Sequence, residues 1–171
     1  KLCLEILKFA FIIKLQLNCS RRHTQLYGRR KSVGGIFLKT LTEKEFYDKV
    51  YGCWLGKNVG GTLGGPVEGK MELLNLDFYP CDFNGEPMEN DDLDLQLLNL
   101  HAVEQYGVQL NADHLVQEWL AHVFFNMDEY GLFTENARRG LKAPIAGFYN
   151  NKFTHCMGSP IRSEIWAVLA A

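Results

Sequence analysis

From Thr42 onward, apolar residues recur at three- and four-residue intervals, and no region shows several segments alternating apolar and polar positions as strands do. The pattern predicts an all-α fold. A first helix opens at Thr42-Glu43-Lys44-Glu45, a capping box in which Thr42 and Glu45 satisfy each other's first-turn donors. Its inward stripe is Phe46, Val50, Cys53 and Trp54, and Gly52, Gly56 and Gly60 repeat beside it at every fourth position. Each glycine costs a helix about 1 kcal/mol relative to alanine, so the repeat predicts close approach by another helix or a ligand. The glycine-rich run from Gly60 to Gly69 is expected to end this helix in a mobile loop. A second helix follows Asn90, with Leu97, Leu98, Leu100 and Val103 inward and Gly107 as its stop. A third starts at Asn111 with Leu115, Trp119 and Val123 inward. Thr134 is expected to cap a short helix over residues 135–139, and Gly147 to Asn151 to form a turn. A Gly/Ser/Pro loop from Met157 to Arg162 then leads into an apolar helix over residues 163–171.

A chain of 171 residues that is 47% hydrophobic has material for one domain with a proper core. Its net charge of −2 hides an uneven distribution. Of 18 lysines and arginines, eight precede residue 36 against Glu5 alone, which leaves ten facing nineteen acids in the body. An acidic body argues against a nucleic-acid-binding surface. The basic head, residues 1–35, reads as an extension or linker outside the core, with residues 36–171 as the helical domain. Its longest uninterrupted apolar run, Phe9 to Ile13, is too short for a signal-peptide core or a membrane span. Five widely spaced cysteines without a C-x-x-C read as reduced thiols, and the expected location is cytoplasmic.

The candidate chemistry centres on Asn90-Asp91-Asp92-Leu93-Asp94. Asn90 is a good N-cap, and acids in a first turn suit the positive end of the helix dipole. The same oxygens could instead hold a hard cation such as Mg²⁺ or Ca²⁺. The residues alone leave both readings open. An EF-hand is excluded, since no glycine follows Asp94 and no Glu stands at loop distance, and Gly52–Gly56 is one residue short of a P-loop. Glu68, between Pro66 and Gly69, could be a carboxylate on a movable flap. Gly158 and Ser159 precede a helix whose free N–H groups could meet an anion such as a diphosphate. His114, Glu118 and His122 recur at four-residue spacing, which could bind a transition metal but reads better as a solvated stripe. His101 reads as a satisfied core or boundary histidine.

Three stretches together resemble the ADP-ribosylglycohydrolase family. Gly52-x-x-x-Gly56-x-x-x-Gly60 continuing through Leu63-Gly64-x-Pro66-x-Glu68 is similar to the family's glycine-rich first helix and Glu-bearing loop. Asn90-Asp91-Asp92 resembles its Ser/Thr-Asp-Asp metal motif, with Asn in place of the hydroxyl ligand and Leu93 in place of the usual Thr. Gly158-Ser159-x-x-Arg162 resembles its Gly-rich substrate loop. The resemblance covers roughly residues 42–171 and implies an orthogonal multi-helix bundle, a hydrolase of ADP-ribose conjugates, and two Mg²⁺ ions. It implies Asn90, Asp91 and Asp92 as metal ligands, Asp92 and Glu68 as catalytic residues, and Gly158 and Ser159 as substrate contacts. The implied partners are ADP-ribosylated protein or a small ADP-ribosyl compound, acted on by a monomer without nucleic acid or membrane. The family's second metal motif, Asp-x-Asp-Thr/Ser, has no counterpart, and the chain stops inside an apolar run. The expectation is therefore the N-terminal part of a longer domain, inactive alone. The alternative is a non-catalytic helical module with Asn90–Asp94 serving as a cap.

Overall fold

The computed structural model describes residues 41–170 apart from Pro80, Asp82, Glu86, Pro87 and Met157, so the basic head lies outside the described residues. Every regular element among them is helical: α1 Glu43–Gly64, α2 Asp91–Tyr106, α3 Ala112–His122, α4 Asp128–Arg138, α5 Ile145–Phe148 and α6 Pro160–Ala170. Single 3-10 turns follow α1 at Gly65–Val67 and α2 at Gly107–Gln109. The fold is all-α, as the periodicity predicts. The chain divides between Glu89 and Asn90 into two compact units.

In the first unit, the capping box forms as expected. The Glu45 amide donates to Thr42 Oγ1 at 3.2 Å, and the Thr42 amide donates to Glu45 Oε2 at 2.8 Å. The stripe behind it is less buried than its spacing suggests: Val50 is buried, Phe46 and Trp54 are half-buried, and Cys53 is exposed. The glycine repeat also departs from expectation. Among the described residues, nothing lies within 4 Å of where a Cβ would stand on Gly52, Gly56 or Gly60. The helix does end within the Gly60–Gly69 run, as expected. It runs to Gly64 and tightens into the 3-10 turn, because glycine lowers helix propensity without blocking the i→i−4 bond. Asn58 and Thr62 add side-chain bonds to the carbonyls of Trp54 (3.0 Å) and Asn58 (2.8 Å), one turn back. Close approach occurs instead at Gly65, where the Met88 side chain takes the place of a Cβ.

The second unit is built around α2, which is buried along much of its length. Leu95, Leu98, Leu100 and Ala102 are buried, as are the polar Gln96 and Asn99, while Leu97 and Val103 are half-buried. The two amides explain how a nearly continuous buried surface is polar in part. Gln96 Nε2 donates to Ile161 O at 2.7 Å, and Gln96 Oε1 accepts from the Ile165 amide at 3.1 Å. A single carboxamide thus engages an i→i−4 pair of α6, and Asn99 Nδ2 donates to Arg162 O at 3.3 Å. On another side, Leu95, Leu98, Trp119, Val123 and Tyr130 form the apolar core, with Phe125, Phe133 and Ile161 packed on it. Thr134 does not cap a helix. It lies inside α4, buried, where its Oγ1 accepts from Trp119 Nε1 at 2.9 Å and donates to Tyr130 O at 2.8 Å. A threonine that bonds back to its own helix gives no boundary signal, so the true start at Asp128 has no side-chain cap. Pro160 likewise opens α6 at its first position, which puts Arg162 on the helix rather than in the preceding loop.

Candidate acidic site at the start of the second helix

Asn90 has extended backbone angles, and its Oδ1 accepts from the Asp92 amide at 3.1 Å, so the N-cap is real. Asp91 and Asp94 are exposed and Asp92 is half-buried. Three acids in one first turn repel each other, and the helix dipole offsets part of that cost. The first turns of two other helices complete the site. The Tyr130 phenol, third residue of α4, lies close enough to the Asp91 carboxylate to feel its charge. Its pKa is pushed up to about 12, first by burial and then by the negative charges of Asp91 and Glu129, with Arg162 opposing. The Arg162 guanidinium, third residue of α6, stands 5.3 Å from the centre of the Tyr130 ring. Gly158 faces the same group: a Cβ there would come 2.5 Å from Glu129 Oε1 and 2.9 Å from Arg162 Nη2. Ser159 is exposed, and its carbonyl accepts from the Arg162 amide at 3.1 Å.

Three positive helix ends therefore surround a surface that carries Asp91, Glu129 and Arg162, and such ends favour bound anions. Asn90, Asp91 and Asp92 offer oxygen alone, the donor set that a hard cation takes, and the Asn90 amide oxygen keeps a lone pair beyond its capping bond. The residues present thus fit Mg²⁺. Glu129 and Tyr130 were not singled out by the sequence, because the pattern placed no helix start before them. Glu68 lies in the other unit, exposed just after the 3-10 turn, with its amide donating to Gly65 O at 3.2 Å. The supposed solvated stripe fails at its centre, since Glu118 is buried.

The second unit is thus all-helical, with an oxygen-rich helix start and a Gly-Ser turn ahead of its last helix. A family model, ADP-ribosylglycohydrolase, matches residues 42–170, and the chain belongs to that family. No curated protein and no solved structure matches the chain. Membership implies a hydrolase of the ADP-ribosylglycohydrolase type, from a family that acts on ADP-ribosylated substrates and is typically metal-dependent. No described helix is long and apolar enough to cross a membrane.

Proposed function

We propose that this protein is a Mg²⁺-dependent hydrolase that cleaves the N- or O-glycosidic bond of ADP-ribose conjugates, either ADP-ribosylated protein or a related small ADP-ribosyl compound. The observation that carries this reading is the meeting of α2, α4 and α6 at Tyr130, which sets Asp91 near Arg162 and Gly158. Asp91 and Asp92 would hold the cation, with Asn90 adding its amide oxygen, and the family resemblance implies two ions. When bound, Mg²⁺ supplies positive charge for ribose hydroxyls and makes a bound water more acidic. Tyr130 sets its phenol beside the Asp91 carboxylate. Gly158 and Ser159 offer close backbone approach at the start of α6, where N–H groups suit a ribose oxygen or a diphosphate. Arg162 adds the complementary charge. The family resemblance gives Glu68 the part of ordering the attacking water or assisting the leaving group.

The bond from the Asp92 amide to Asn90 Oδ1 favours a second reading, in which the acidic stretch only caps α2 in a non-catalytic module. Release of ADP-ribose from mono-ADP-ribosylated protein by the full-length gene product separates the two. The hydrolase reading expects release with Mg²⁺, none with EDTA, and a loss of about 10²-fold or more in Glu68→Gln. Release that is indifferent to EDTA, or absent from every ADP-ribosyl conjugate tried, contradicts it.

A further inference from the structure

About 15 Å along α2 from its acidic start, at 1.5 Å per residue, His101 faces the end of α3. Its Nδ1 lies 2.6 Å from Glu118 Oε2, and His122 Nε2 lies 3.4 Å from the same oxygen. The two imidazole rings meet edge to face with centroids 5.0 Å apart. Donor atoms of His101, Glu118 and His122 all fall within 4.8 Å of one another. We propose that these three side chains form a binding site for a borderline divalent transition metal, with Zn²⁺ the best fit and one coordination position open to solvent.

Three physical points support this. The first is charge. The Glu118 side chain is only 8% exposed, and among the described residues no lysine or arginine pairs with it. A buried carboxylate needs a positive partner, which a dication supplies. The second is chemistry and size. Two nitrogens and one carboxylate oxygen suit Zn²⁺, whereas Mg²⁺ and Ca²⁺ take oxygen alone. Tetrahedral bonds of 2.0–2.1 Å set donors about 3.3 Å apart. The His122–Glu118 separation of 3.4 Å already matches, and His101–Glu118, now at 2.6 Å, needs to open by about 0.7 Å. The third is outer support. The Tyr106 phenol lies near the Glu118 carboxylate, and the Gln105 carboxamide lies 3.5 Å from His101 Nε2, where its oxygen could accept the ring's other N–H. The histidine side chains are 43% and 52% exposed, so the fourth position faces water. His114 stands apart from the cluster, with its ring stacked on Tyr106 at 4.0 Å.

The test titrates Zn²⁺ alone into the full chain by calorimetry, with cysteines alkylated to remove thiolate binding, and repeats it with Co²⁺ to read the visible bands of a tetrahedral site. The expected result is one equivalent of Zn²⁺ bound. Affinity should fall at least tenfold in His122→Ala and in His101→Ala and stay unchanged in Asp92→Asn. Zn²⁺ should raise the melting temperature of the wild type and not that of His122→Ala, whose exposed position leaves folding intact by circular dichroism. No binding, or a loss in fewer than both histidine variants, overturns the proposal. So does binding that Asp92→Asn abolishes.

Discussion

Thr134 illustrates how one hydroxyl can carry a structural role that its sequence position conceals. It is buried and is the acceptor for the indole of Trp119 within the core of the second unit. Thr134→Val keeps the shape and removes the acceptor, leaving Trp119 Nε1 unpaired in an apolar setting. The expected loss is about 1–3 kcal/mol by urea unfolding, and a change under about 0.5 kcal/mol would show that the bond contributes little. Residues whose role is local were readable in advance. Asn90 and Asn111 cap helices because a short polar side chain reaches the amide two or three positions on. Glu118 and Tyr130 were not readable, since His101, Asp91 and Arg162 reach them from other helices. Gln96 was hidden for the same reason, as its partners lie on α6.

At the scale of elements, periodicity located α1, α2, α3 and α6, whereas most of α4 and the short α5 were missed and helix ends were harder. Gly107 stopped α2 as expected, with a positive φ of 52° that suits glycine. α1 ended inside the glycine-rich run as expected, at Gly64 and not at its first glycine, since nothing at Gly60 demands a left-handed conformation or removes an amide. The open surroundings of the glycine repeat give a direct prediction. Gly56→Ala adds a methyl into free space and reduces backbone entropy in the unfolded chain, so it should stabilise α1 by about 0.5–1 kcal/mol. Slower amide hydrogen exchange across Glu43–Gly64 would report it. Faster exchange would mean that another surface packs against this stripe and that the glycines serve close approach after all.

For the whole molecule, the fold class followed from composition and period, and the family followed from three short motifs taken in order. Their joint geometry did not, because spacing along a chain cannot say which helix starts converge. The central claim is that the convergence at Asp91 and Asp92 serves a cation and not merely a helix cap. Two neighbouring carboxylates repel each other when no cation is bound, so Asp92→Asn should cost little stability. The capping reading allows a loss of about 0.3–1 kcal/mol and no effect on metal. Calorimetric titration of Mg²⁺ into wild type and Asp92→Asn compares them directly. The account predicts heat of binding with the wild type and its loss, or at least a tenfold weakening, in the variant. Equal Mg²⁺ binding by both proteins would contradict it.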